Sequence, residues 1–125
     1  MPRFLITYDL KTTDPDPHGP FLDEAEGQNL LYVCRLSNGE LARLPNTTLW
    51  GVFRDRAAAR AAFDRARVAV ERRIGRAVVV EKRVITAFDN ASVLSDEKKA
   101  PERRWTGASG FETCRLHQVN DPYFS

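Results

Sequence analysis

A chain of 125 residues has the size of one domain, and its 42% hydrophobic and 29% charged residues are typical of a folded globular protein. No stretch has the roughly 18 uninterrupted apolar residues of a membrane helix, and Asp9 ends an N-terminal apolar run too short for a signal peptide. The only two cysteines, Cys34 and Cys114, lack metal-ligand spacing and are too few for a disulfide framework. We therefore expect a cytoplasmic protein with no membrane partner.

The charges are distributed unevenly, although the net charge of +2 is too small for a global attraction to nucleic acid or membranes. Residues 1–27 hold six acidic side chains against Arg3 and Lys11, whereas residues 55–76 hold seven arginines against three acidic side chains. The two segments could attract each other within the fold or between subunits. They could equally form an acidic site beside a basic track.

The first part of the chain predicts strands separated by turns. Residues 3–10 are β-branched and aromatic, which is typical of a buried strand. The elements expected next are an irregular proline-rich loop over 11–20, a short helix over 21–28, a strand over 30–36 and a return strand over 41–44. Between the last two, Asn38-Gly39 is a strong hairpin signal because these residues tolerate positive φ.

The clearest helix runs from Arg56 to Ile74, after a predicted third strand over 47–53. Asp55 is a good N-cap for it, and Gly75 stands where a helix ends in a left-handed residue. One apolar stripe recurs at helical spacing, formed by Ala59, Phe63, Ala66, Val70 and Ile74. We expect this stripe to pack against the sheet.

A last strong strand over 78–88 completes the order strand, helix, strand, strand, helix, strand. This order predicts an α+β protein with a ferredoxin-like βαββαβ fold, in which an antiparallel sheet carries both helices on one face. The core would span residues 1–89, and residues 90–125 would form a polar C-terminal extension with a candidate edge strand at 110–116.

The strands carry apolar residues on both parities, which predicts burial of both faces of the sheet. Leu5 opposes Phe4 and Ile6, and residues 89–104 are too polar to cover a second face. We therefore expect a two-fold homodimer packed through the open face of the sheet.

Asp9 is the first candidate site residue, because it leaves the end of a strand and enters the proline-rich loop. A carboxylate there can accept a hard cation, and Asp14, Asp16 and His18 could fold back to add ligands for Mg²⁺ or another divalent metal. The alternative is structural, since Asp residues in such loops commonly hydrogen-bond the backbone and initiate turns. His18 and His117 have no ligand spacing, and we expect both in surface loops.

The arginine-rich helix is the second candidate site. Its polar face could follow the phosphates of RNA or DNA through Arg65, Arg72 and Arg73. The alternative is a solvated helix face, because arginine is a good helix former and no aromatic residues interleave there.

Residues 4–10, Phe-Leu-Ile-Thr-Tyr-Asp-Leu, resemble the first strand of two groups of ferredoxin-like proteins, which are often dimeric. These are the CRISPR-associated spacer-acquisition nuclease (the second Cas protein) and the virulence-associated protein D endoribonucleases. Residues 47–53 are similar to the third strand of their relatives. The long loop after Asp9 and the tail after Asp89 depart from that pattern. The resemblance implies that Asp9 is the catalytic, metal-binding carboxylate, with its symmetry mate nearby across a dimer.

Three functions remain open at this point. The first is a dimeric nucleic-acid-associated protein, a metal-dependent endoribonuclease or other nuclease in which a metal at Asp9 activates water. The second is a non-catalytic dimerisation or regulatory module with the same fold, because this architecture hosts many functions. The third is a small-molecule-binding enzyme that uses the sheet face or a dimer cleft.

Overall fold

The computed structural model describes all residues from 1 to 125 and shows an α+β protein. Its strands and helices are β1 (Arg3–Leu10), α1 (His18–Glu26), β2 (Val33–Arg35), β3 (Leu41–Arg43), β4 (Thr48–Val52), α2 (Arg56–Ile74), β5 (Val80–Phe88), β6 (Lys98–Lys99) and α3 (Gly110–Asn120). Two single 3₁₀ turns lie at Arg103–Trp105 and Pro122–Phe124. None of the helices is both long and apolar enough to cross a membrane.

The strands form two antiparallel three-stranded sheets, in the orders β4-β1-β5 and β2-β3-β6, so the prediction of one four-stranded sheet is wrong. From the expected strand over 30–36, only Leu31 bridges to the first sheet, at Trp50. The chain then pairs with β3. A side chain of α3 stabilises this segment outside the first sheet. Gln118 Oε1 accepts hydrogen bonds from the N–H groups of Tyr32 (2.8 Å) and Val33 (3.2 Å).

Successive side chains of the central strand β1 alternate between the two faces of the first sheet. Phe4, Ile6, Tyr8 and Leu10 are buried, whereas Leu5 is half-buried and Thr7 and Asp9 are exposed. The centroid of the Tyr8 ring lies 5.0 Å from that of Phe21 on α1 and 5.4 Å from that of Phe63 on α2. Both helices therefore pack on the same face of the sheet.

Helix α2 has the bounds that its sequence predicts. The Asp55 carboxylate caps its start by accepting the Ala58 N–H at 2.8 Å, and this bond lowers the pKa of Asp55. Gly75 ends the helix in the left-handed conformation at φ 69°. Four residues of the predicted stripe are buried, and Ile74, in the last turn, is half-buried.

The Asn38-Gly39 hairpin is confirmed, and β2 pairs with β3 across it. Positive φ occurs at Gly39 (90°) but not at Asn38. The Asn38 side chain instead accepts the Glu40 N–H at 3.0 Å. One left-handed glycine therefore suffices for this turn.

The expected edge strand at 110–116 is wrong, because these residues belong to helix α3. Ser109 caps this helix by accepting the Glu112 N–H at 3.1 Å. His117, expected in a surface loop, is fully buried on α3. Its Nε2 accepts the Glu102 N–H and its Nδ1 donates to the Thr113 carbonyl, both at 2.8 Å, so one neutral tautomer satisfies both contacts.

The C-terminal extension joins the second sheet through β6, and an ion pair within the extension holds its last turn to that strand. Strand β6 pairs with β3, and Lys99 Nζ lies 2.8 Å from the buried Asp121 carboxylate. Burial by itself would raise the pKa of Asp121, but the Lys99 ammonium and the Tyr123 N–H together hold it below its usual range. Residues 90–125 therefore share a sheet with residues of the predicted core.

Phe63 is the residue on which we test this packing, because it is fully buried and joins α2 to β1. The change Phe63→Ala should lower the free energy of unfolding by about 3–5 kcal/mol through lost burial and a cavity. Urea titration followed by circular dichroism measures this loss. Ile74→Ala is the matched control on the same stripe, and its cost should be smaller because Ile74 is half-buried. Equal costs for the two variants would contradict the assignment of Phe63 to the centre of the core.

Candidate functional site

Asp9 lies on the face of the first sheet that is opposite the helices. Its side chain is exposed, and Lys82 of β5 is its cross-strand neighbour. The expected ligand cluster does not form around it, because no three His, Cys, Asp or Glu side chains are arranged to hold a metal ion. Asp16 instead pairs with His18, Oδ1 to Nδ1 at 2.6 Å, and this hydrogen bond lowers the pKa of Asp16. The residues of one chain therefore do not by themselves fit a magnesium site at Asp9.

Two of the three candidate nucleic-acid-binding arginines already have partners on α1 or just after it. Arg65 Nε donates to Gln28 Oε1 at 2.7 Å. Arg73 Nη1 lies 3.1 Å from an Asp23 carboxylate oxygen and 3.4 Å from one of Glu24. Arg72 is exposed and makes no ion pair. The opposite charges of residues 1–27 and 55–76 therefore meet within the fold, where α1 packs beside α2.

A second group of arginines lies at the other end of α2. Arg56 and Arg60 are exposed on successive turns without ion pairs, and they line a shallow groove with Arg83 of β5. Arg83 contacts Asp64 at 3.2 Å and lies over the Phe63 ring.

The largest cavity of the molecule is a cleft of about 790 Å³ on the open face of the first sheet. Its floor is the solvent-facing row of the sheet, formed by Leu5, Trp50, Val52 and Phe88. Its walls come from the β2–β3 hairpin and the C-terminal extension, through Leu36, Leu44, Val93 and Phe111. We call it the sheet-face cleft.

The C-terminal extension therefore covers part of the open face of the first sheet, although we expected residues 89–104 to be too polar to cover that face alone. The Phe111 ring meets Trp50 edge-on, with centroids 5.5 Å apart, and Val93 packs against the core. The β5 side of the same face stays open, and Val84 there is 60% exposed.

The charged side chains that line the sheet-face cleft are two arginines and one aspartate. Arg35 is exposed and has no carboxylate partner, and its guanidinium lies beside Gly110 at the N-terminus of α3. Arg3 lies over the Phe88 ring, 4.8 Å from its centroid, and donates to the Asp89 carbonyl. Asp89 is the one acidic side chain of the lining.

The two cysteines lie close to each other at this cleft, although nothing in their spacing indicates it. Cys34 lines the cleft half-buried, and burial raises its pKa to about 11. Cys114 is fully buried on α3, and burial together with the neighbouring Cys34 raises its pKa to about 12. Both thiols are therefore neutral near pH 7, and neither is an activated nucleophile.

Sequence reasoning missed α3 and with it one wall of the cleft. Ser109 followed three residues later by Glu112 is the sequence pattern of a helix start, and it could have revealed this helix. No local signal could have placed Arg35 or Phe111 on one cleft, because they belong to elements about 76 residues apart in sequence.

Comparison of this chain with protein-family models, with curated proteins and with solved structures finds no match. The resemblance of residues 4–10 to the two nuclease groups therefore stays a prediction.

Proposed function

We propose that the protein binds a small organic anion with an apolar body in the sheet-face cleft. The single observation that carries this proposal is the cleft itself, which is the largest concave surface and is lined mainly by apolar side chains. Pockets of this size and composition, with a few polar groups at fixed positions, are the usual binding sites for small molecules. This proposal develops the small-molecule alternative and leaves open whether a reaction follows binding.

The charges around the cleft support an anionic ligand. Arg35 has no carboxylate partner, and it lies next to the N-terminal end of the 11-residue helix α3, where unpaired N–H groups favour negative charge. Asp89 is the only opposing carboxylate in the lining. A ligand acid group would therefore lie beside Arg35 at the N-terminus of α3, and its apolar body would contact Trp50 and Phe111.

Trp50 provides a direct readout of this proposal. In a Trp105→Phe background, Trp50 is the only tryptophan, so its fluorescence should change when anilinonaphthalene sulfonate, an aromatic anion, enters the cleft. Arg35→Gln should weaken the titrated affinity about tenfold, the loss expected for one charge-assisted hydrogen bond. Arg72→Gln is the matched control, because Arg72 is an exposed arginine outside the cleft. Equal weakening by both changes, or by neither, would contradict the site.

A second candidate function is nucleic-acid association by a ferredoxin-like homodimer. The observation that favours it is the set of unpaired arginines on α2, namely Arg56, Arg60 and Arg72. The sheet order β4-β1-β5, with both helices on one face and Leu31 bridging to Trp50, supports a ferredoxin-like relationship in which the expected second strand, over 30–36, is reduced to this bridge. The pairs made by Arg65 and Arg73 are exposed, and exposed pairs contribute little free energy, so nucleic-acid phosphates can compete for these side chains.

Binding of a fluorescent single-stranded RNA or DNA tests the arginine helix. The affinity should fall steeply with salt, and each lost phosphate contact should reduce the salt slope by about one. The double variant Arg56→Gln, Arg60→Gln should reduce the salt slope more than the double variant Arg65→Gln, Arg73→Gln. Arg65 and Arg73 already have partners within the chain that compete with phosphates. Fluorescence anisotropy at several salt concentrations measures the slopes. Binding that does not depend on salt would reject this surface as a phosphate track.

The dimer and the metal belong to the same proposal. A divalent metal at Asp9 needs further ligands, and the symmetry mate of Asp9 across a dimer of the open sheet face could provide one. Val84 on that face is exposed and is therefore available to such an interface.

Sedimentation at micromolar concentration should therefore show a dimer, and Mg²⁺-dependent cleavage of RNA or DNA should disappear in Asp9→Asn. Asp14→Asn is the matched control, because Asp14 is an exposed acid of the following loop. A dimer without cleavage under any divalent metal would favour the non-catalytic dimerisation or regulatory module. A clean monomer would contradict both dimeric functions and leave the sheet-face cleft as the remaining site.

A further inference from the structure

A second cavity, on the helix-covered side of the first sheet, is formed by groups that no function above uses. It has a volume of about 300 Å³ and opens where the ends of β1 and β3 meet the starts of β4 and α1. Its polar lining includes Tyr8, His18, Tyr32, Arg43, Thr47 and Thr48. We call it the polar pocket.

The Tyr8 side chain reaches this pocket from the core. The residue is only 4% exposed, and its ring is held between Phe21 and Phe63. Its hydroxyl makes no hydrogen bond within the chain, yet it is not among the fully enclosed polar atoms, so the tip of the side chain is open to the pocket. Burial raises the pKa of Tyr8 far above its usual value, against a smaller lowering by Arg43. The phenol is therefore a protonated donor without a partner, which is costly unless a ligand or water accepts its hydrogen bond.

Arg43 supplies an unneutralised positive charge beside this donor. Its guanidinium lies over the Tyr32 ring, 4.3 Å from the centroid, and donates to the Phe124 carbonyl, with no carboxylate within ion-pair distance. The charge of Arg43 lowers the pKa of both phenols that line the pocket, although burial outweighs it and raises both values. Arg43 and Tyr8 both line the polar pocket, so this positive charge lies at the same cavity as the unpartnered hydroxyl.

His18 is the third group, and Asp16 fixes its orientation. The Nδ1 atom lies 2.6 Å from Asp16 Oδ1, which leaves Nε2 for another partner. The Asp16 carboxylate is the only acid in contact with these groups, and it is largely exposed to solvent. Thr47, at the rim, has φ 56°, a strained value for a β-branched residue that favours a functional constraint at this edge.

We propose that the polar pocket binds the phosphate group of a small phosphorylated molecule. The lining offers a neutral donor, a guanidinium and an imidazole around one space, and a tetrahedral anion can accept hydrogen bonds from several directions at once. A planar carboxylate would use fewer of them. The volume of about 300 Å³ lies at the small end of the range for ligand pockets, about 300–1,000 Å³, which suits a phosphate with a few carbon atoms attached. The two cavities share Leu44 at their boundary, but no polar side chain of the polar pocket lines the sheet-face cleft.

Calorimetric titration with glycerol phosphate and with inorganic phosphate tests the site on the full chain. Tyr8→Phe keeps the ring packing and removes only the unpartnered hydroxyl, so it should weaken phosphate binding about tenfold. Tyr123→Phe is the matched control, because Tyr123 is an exposed tyrosine outside the pocket. His18→Gln should also weaken binding, and since His18 is half-exposed on the first turn of α1, this variant should stay folded.

The results distinguish a phosphate monoester from free phosphate as the ligand, and they also test the site itself. Tighter binding of glycerol phosphate identifies a phosphate monoester as the ligand, and equal affinity identifies free phosphate; both support the site. Equal affinity of wild type and Tyr8→Phe, with both folded by circular dichroism, would overturn the proposal. So would acetate binding as tightly as phosphate at the same ionic strength, because it would indicate general attraction to Arg43.

Discussion

The alternation of side chains along β1 is the constraint on which the rest of the molecule depends. Because β1 is the central strand of its sheet, each of its residues must face either the helices or the open side. Phe4, Ile6, Tyr8 and Leu10 face the helices and build the core, and the Tyr8 ring locks α1 and α2 together through Phe21 and Phe63. A shift of one residue in register would exchange the two sets and destroy that core.

The same alternation separates the two cavities. Tyr8 and Asp9 are neighbours in sequence, but their side chains lie on opposite faces of the sheet. The Tyr8 side chain therefore lines the polar pocket, whereas the Asp9 side chain is exposed to solvent. Leu5, on the face of Asp9, forms part of the floor of the sheet-face cleft. One strand therefore contributes to two chemically different surfaces, a cationic pocket under the helices and an apolar cleft on the other side.

Helix α3 decides how far the second face is covered. Gln118 binds the backbone N–H groups of Tyr32 and Val33 and thereby keeps this segment with the second sheet. Phe111 places an aromatic ring against Trp50. The buried contacts of His117 with Glu102 and Thr113 hold the preceding turn against the helix. The C-terminal extension is thus a structural partner of the β2–β3 hairpin, and the cleft exists because the two meet above the first sheet.

What the sequence by itself determined is the set of elements with strong local signals. The bounds of α2 follow from Asp55, its apolar stripe and Gly75, and the burial of β1 and the Asn38-Gly39 turn follow from equally local patterns. Only the tertiary structure decided that the expected second strand, over 30–36, joins a second sheet and that residues 110–116 are helical. It also decided that Arg65 and Arg73 are engaged by residues 23–28, and that Arg43 and Tyr8 line one pocket. The physical reason is the range of the interactions. Caps, turns and periodicity act within a few residues, whereas Gln118 reaches the backbone of residues more than 80 positions away, and no local pattern encodes such a contact.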